Sequence, residues 1–277
     1  GAWNSERLWH TRESNTAAYI VPPVAHIGHG PAGIAWYPGT GLPARYDRHF
    51  FVSDFPGGLR TFAVEPDGAF FKVVPEPGAD LAGRWMEDNS ATNMVGKILW
   101  DLSPVDVAFP PGGGVTIADW VQGWEKTGKG RLWHVSDPAL AGDPLIVETK
   151  RLLAEGMAGR GEKELLGLLG HRDQRVRLEA QWELAGRGPR SFGGLKETAS
   201  GTGSTTTRIH ALWAVGQIAR SLPASEFTDE LFSLLPLLEG KDSVVRAQAA
   251  MVLAEGRLLN ANFGIIGLLK DEERRVR

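Results

Sequence analysis

The chain contains no cysteine in 277 residues, which excludes disulfides, zinc-cysteine centres, thiol catalysis and haem attachment through Cys-x-x-Cys-His. It has no apolar run near the roughly 18 to 20 residues that cross a bilayer as a helix. It also lacks an excess of positive charge. Before residue 151 there are 12 basic and 17 acidic residues, and after it 18 and 16, so no basic stripe is available to bind nucleic acid. Metalloprotease, serine-hydrolase and EF-hand signatures are missing. The first residues, "GAWNSERLW", do not follow the order of a secretion signal. Because the chain opens at Gly1 and closes within "DEERRVR", it is expected to be an internal piece of a longer protein.

What is present falls into two halves. Residues 1–150 hold 14 of the 17 prolines and 8 of the 10 tryptophans, whereas the remainder is rich in Leu, Ala, Arg and Glu. The shift near Asp143 to Lys150 predicts two domains, 1–143 and 144–277.

The first half reads as β. Short apolar or aromatic runs, "GIAWY" (33–37), "HFFVSDF" (49–55), "LRTFAV" (59–64), "AFFKVV" (69–74), "VDVAF" (105–109), "VTIADW" (115–120) and "RLWHV" (131–135), are punctuated by Pro-Gly and Asp-Gly turns. The runs also repeat. "PAGIAW" aligns with "PVDVAF", "VSDF" with "IADW" and "GLRTFAV" with "GRLWHV", at offsets of 73, 65 and about 72 residues. Repeated meanders of this kind predict the last two to three blades of a partial β-propeller.

The second half repeats with helical spacing. "LLGHRDQRVRLEAQWELA" (168–185) aligns with "LLEGKDSVVRAQAAMVLA" (237–254), a weaker copy lies at 206–219, and another begins at 268. Anchored on Val176, Thr207, Val245 and Val276, the steps are 31, 38 and 31 residues. Such steps predict an α-solenoid of short HEAT-like repeats, so the expected fold class is all-β plus all-α. Leu169, Val176, Ala180 and Leu184 should line one layer, with Leu238, Val245, Ala249 and Leu253 in another. Asp173 and Asp242, four residues before Arg177 and Arg246, read as helix caps or ion-pair partners.

Candidate site residues follow from the expected blade topology. Loops 25–32, 54–58, 102–106 and 119–130 would share one face, gathering His26, His29, Asp54, Asp106, Asp119, Trp120, Trp124, Glu125, Lys126, Lys129 and Arg131 at a mouth. Asp54 and Asp119 recur at matching positions, as an Asp that fixes its own turn would. His26 and His29 suit ligands, a proton carrier or hydrogen-bonded channel residues. Trp120 and Trp124 suit either sugar stacking or packing. Asp106 stands where the other copy has Gly33, so His29 and Asp106 are the candidates for catalysis. Two glycine patterns fail on context. Gly28-x-Gly30-x-x-Gly33 runs into a strand, and "GWEKTGKG" (123–130) places Gly130 where a phosphate loop needs Ser or Thr.

Taken together, "PPVAHIGHGPAGIAWYPGTGLPARYDRHFFVSDFPGG", "SPVDVAFPPGGGVTIADWVQGWEKTGKGRLWHVSDP" and the helical repeats resemble the PVC-type haem-binding, membrane-bound-dehydrogenase proteins of bacteria. Their propeller is similar to that of glucose/sorbosone dehydrogenases. The resemblance implies a periplasmic or cell-envelope oxidoreductase acting on a sugar or polyol, with pyrroloquinoline quinone and calcium as cofactors. It also implies a c-type haem domain outside this chain. The alternative is a non-catalytic module that holds a glycan or protein on the β half and a protein partner on the helices.

Overall fold

The computed structural model describes residues 30–74, 96–99, 101–121, 126–223, 226–256 and 262–277. Its strands are β1 (Pro31–Trp36), β2 (His49–Asp54), β3 (Gly58–Asp67), β4 (Phe70–Val74), β5 (Gly96–Leu99), β6 (Pro104–Ala108), β7 (Val115–Asp119) and β8 (Arg131–Val135). The helices are α1 (Pro144–Glu155), α2 (Glu162–Leu168), α3 (Gln174–Gly186), α4 (Phe192–Ser200), α5 (Thr205–Ser221), α6 (Thr228–Phe232), α7 (Ser243–Glu255) and α8 (Asn262–Gly267).

All seven strands read from the aromatic runs are present, but their assembly corrects the expected fold class. The described strands form two small antiparallel sheets, one of five strands in the order β1-β2-β3-β4 with β5 on β3, and one of three, β6-β7-β8. Neither closes, and with eight helices among the described residues the fold is mixed α/β rather than a partial multi-blade propeller joined to an all-α solenoid. The departure lies in β3. Its first residues, Leu59–Thr61, pair with β5, and Ala63–Asp67 pair with β4, so two short strands divide one edge of a ten-residue strand. A simple four-strand meander has no place for that fifth strand.

The β2-β3 hairpin shows why the local reading succeeded. Asp54 faces Gly58 across a turn, and Gly58 sits at φ 99°, where a side chain would be strained. Phe50 pairs directly with Phe62 and their rings stack at 5.3 Å. Val52, Phe62 and Val73 form a small core, against which Phe50 and Val64 pack.

Compactness divides the chain into two units. One holds the described residues among 1–34, 49–106 and 118–131, and the other holds 35–48, 107–117 and 132–277. Segments 35–48 and 107–117 therefore fold with the helices. There Tyr37 packs edge-on to Phe109 at 5.5 Å and bonds Leu42 through its hydroxyl. All eight residues expected to line the helical layers are buried. Their burial alone contributes on the order of 1.5–3 kcal/mol for each large aliphatic side chain.

Candidate functional site

The aspartates that recur in the β half do the same work in both copies. Asp54 Oδ1 accepts from the Gly30 amide at 2.9 Å, and Asp119 Oδ1 accepts from the Ser103 amide at 3.0 Å. Gly30 and Ser103 immediately precede β1 and β6. A backbone bond completes each latch, from Phe55 N to Gly30 O at 2.8 Å and from Trp120 N to Ser103 O at 2.9 Å. Asp119 Oδ1 also holds its own turn through Val121 N, and Val121 sits at φ 78°, a costly place for a β-branched residue. The turn-holding role read from the sequence is present at Asp119, and both aspartates also tie down the strand that begins each meander.

In the first copy the aspartate also meets a buried cation. Asp54 Oδ2 also accepts from Arg60 Nε at 2.7 Å, and both side chains are almost wholly buried. Burying a cation in a small sheet is tolerable because the carboxylate lies beside it. Sequence reading missed Arg60, since the neighbouring positions of β3 carry the strand signal and nothing marks an arginine as inward-facing.

Asp106 has a clear spatial relation to its counterpart. A Cβ added at Gly33 would lie 2.7 Å from Asp106 Cα, so the glycine in the first copy makes room for the aspartate in the second. Trp120, Lys126, Lys129 and Arg131 are exposed. His26, His29, Trp124 and Glu125 lie outside the described residues. In the phosphate-loop look-alike, Gly128 has φ 71° and the chain continues into β8, so no helix N-terminus follows to face a phosphate.

The helical unit carries a more regular array. Counting from the anchors Val176, Thr207 and Val245, the next residue is Arg177, Arg208 and Arg246, and the sixth is Trp182, Trp213 and Met251. Arg177 Nη1 bonds the carbonyls of His171 and Arg172 at 2.7 Å, Arg246 Nη1 bonds those of Gly240 and Lys241, and Arg277 does the same with Asp271 and Glu272. Arg177 and Arg246 each close the turn before their own helix. Asp173 and Asp242 are the caps of α3 and α7, accepting from Arg175 N at 2.9 Å and from Val244 N at 3.0 Å.

The caps are bound from the preceding segment as well. Asp242 accepts from Thr205 at 2.5 Å with Arg208 at 3.8 Å, and the Arg246 guanidinium grips Asp271 with bonds of 2.8 and 2.9 Å. Buried Asp173 accepts from Thr40 and from Arg175. Burial alone would raise the Asp173 and Asp242 carboxyls, but bonds from Arg175 and Thr40 in the one case, and from Thr205 and the Val245 and Val244 amides in the other, hold both below the usual range.

The sixth-position residues mark a surface. Trp182 on α3 is 50% exposed and Met251 on α7 is 42% exposed, and Trp213 between them in sequence donates its indole N–H to Gln248 at 2.7 Å. Beneath lies a polar network that the sequence did not reveal, because its central residue, His210, sits in the weakest repeat copy. Arg177 Nε donates to His210 Nε2 at 3.1 Å, His210 Nδ1 bonds Gln181 Oε1 at 2.8 Å, and Gln181 bonds Gln217 at 3.2 Å. Because a guanidinium only donates, Nε2 must carry the lone pair and Nδ1 the proton. Burial, and then the charge of Arg177, lower the His210 pKa to about 4.

Among the described residues, no group of three His, Asp or Glu could hold a metal ion. Asp54 and Asp119 are committed to backbone amides and, at Asp54, to Arg60. Among them, too, no helix is long and apolar enough to cross a membrane. Fold and site together define a mixed α/β protein with latched β-meanders and a repeat-built helical unit. No protein-family model and no curated protein sequence matches the chain.

Proposed function

We propose that this chain is part of a sugar- or polyol-oxidising protein of the bacterial cell envelope. Its helical unit docks the electron-accepting c-type haem domain, and the oxidation takes place outside the described residues. The single observation behind the docking role is the recurrence of Trp182, Trp213 and Met251 at one repeat position, with Trp182 and Met251 exposed on helices that bury Val176, Ala180 and Leu184, and Val245, Ala249 and Leu253. Exposed tryptophan on a rigid helix suits partner recognition, since it adds contact area with little loss of side-chain freedom. The oxidoreductase part rests on the sequence resemblance. It is tested by supplying the protein, as isolated from its host, with pyrroloquinoline quinone and calcium and assaying dye reduction over aldoses and polyols. Neither cofactor binding nor turnover would end that reading. Trp182→Ala with Met251→Ala should lower electron delivery to c-type haem at least tenfold while dye reduction stays unchanged.

A second reading, a glycan-binding module, is favoured by Trp120, 39% exposed beside the Asp119 latch. Trp120→Ala should abolish retention on a glycan array, and equal retention by both forms would refute it.

A further inference from the structure

The buried network ends at a place where it can act on a distant segment. Arg177 joins two sets of contacts, accepted on one side by the His210 imidazole and on the other by the carbonyls of His171 and Arg172. That same turn secures residues 38–47. Gln174 N donates to Pro38 O at 2.8 Å, Arg172 donates to Gly39 O at 2.9 Å and pairs with Asp47 at 2.8 Å, and Asp173 accepts from Thr40. We propose that the Arg177–His210 contact is an acid-sensitive catch: a proton taken up at His210 Nε2 unseats Arg177 from the 171–172 carbonyls and so releases segment 38–47 from the turn that holds it.

The chemistry is a reversal of donor and acceptor. Neutral His210 offers Arg177 a lone pair, whereas the imidazolium offers a second N–H and a second positive charge. The charges around it do not compensate. From α3 the group facing His210 is Arg177. Asp173, at the head of α3, is bound to Arg175 and Thr40, and on α5 itself Arg208 points to Ala199 O and Asp242. The residues of α5 and α7 next to it in the network, Trp213 and Gln248, are neutral. His171, whose Nδ1 accepts from Asp173 N, has Glu148 of α1 at 3.9 Å from Nε2. An imidazole that titrates near 6.5 when free and near 4 when locked in place favours the released state about tenfold more at pH 5.5 than at pH 7.5.

Pulsed hydrogen exchange on the whole chain, corrected for intrinsic rates, tests this. Protection of residues 37–47 should fall about tenfold between pH 7.5 and 5.5 while that of α7 holds. In His210→Gln the fall should vanish. Arg177→Met should show the fast exchange of 37–47 already at pH 7.5, which provides a check should His210→Gln fold poorly. An unchanged 37–47 segment, an equal fall in His210→Gln, a parallel loss in α7 or normal protection in Arg177→Met would each overturn the proposal.

Discussion

Replacing Asp54 by Asn tests how the first meander holds its charge. The amide side chain keeps an oxygen for Gly30 N but removes the anion 2.7 Å from Arg60 Nε, leaving a guanidinium that is 1% exposed without its counter-charge. Breaking a buried pair from one side costs about 3–5 kcal/mol, a large share of the roughly 5–15 kcal/mol by which a domain is stable. With a urea dependence of about 2 kcal/mol per molar, the midpoint should drop by about 2 M. The measurement is urea unfolding read from amide protection in β2 and β3, so that the loss is assigned to the β unit. The double change Asp54→Leu with Arg60→Leu removes both charges and adds apolar volume. It should recover much of the loss, since hydrophobic replacement of buried pairs is often near neutral. A midpoint shift under about 0.5 M for Asp54→Asn, or a double variant less stable than the single, would refute the argument that desolvation of Arg60 dominates this turn.

Leu184 is fully buried, and Leu184→Ala should cost about 2–5 kcal/mol in a thermal or urea melt of the helical unit. Gly33→Ala forces a Cβ to within 2.7 Å of the Asp106 backbone and should cost about 1–3 kcal/mol, measurable as faster exchange in the first meander. Thr40 and Thr205 make the same bond at different depths, to Asp173 with its side chain 0% exposed and to Asp242 at 23%. Thr40→Val should therefore destabilise by about 2 kcal/mol and Thr205→Val by about 0.5 kcal/mol in parallel melts. Because the folded Asp173, Asp242 and Asp271 carboxyls lie below their free values, the stability they contribute is complete above about pH 4 and is lost as pH falls through the lower folded values. The His210 contribution, whose folded pKa is also depressed but which is held as a neutral base, is lost earlier, from about pH 6.5 down to about 4. The pH slopes of stability for wild type and His210→Gln should differ in that upper window and run parallel below it.

Local structure was legible where one residue dictates it. Turns at Pro38-Gly39 and Pro56-Gly57-Gly58, and aromatic runs of strand length, located seven of the eight strands among the described residues. The anchors at Val176 and Val245 located α3 and α7 with their caps. β5 was not legible because "GKIL" is four residues without alternation, and that omission carried the larger error. A count of four strands per repeat implied blades, whereas β3 is long enough to pair with both β4 and β5 along one edge. Arg60 and His210 escaped for a related reason. Pattern reading places polar residues outward, and each is inside because a specific partner, Asp54 or Gln181 with Arg177, makes its burial tolerable.

The way segment 38–47 meets α3 explains why the compact helical unit reaches into the β half of the sequence. Each repeat cap takes a donor from what precedes it: Asp242 from Thr205, and Asp173 from Thr40. For the cap of α3 that donor comes from Thr40 of the β half rather than from a helix, and a buried carboxylate without one would be expensive. Residues 38–47 fill that position, adding a backbone acceptor for Gln174 N and a carboxylate for Arg172, while Arg175 bonds the Phe109 carbonyl at 2.5 Å. A connection between two strands thus supplies the partners of the turn that opens α3. The break in composition near residue 143 marks where helices begin, while the folding unit begins where the first cap finds its hydrogen bonds.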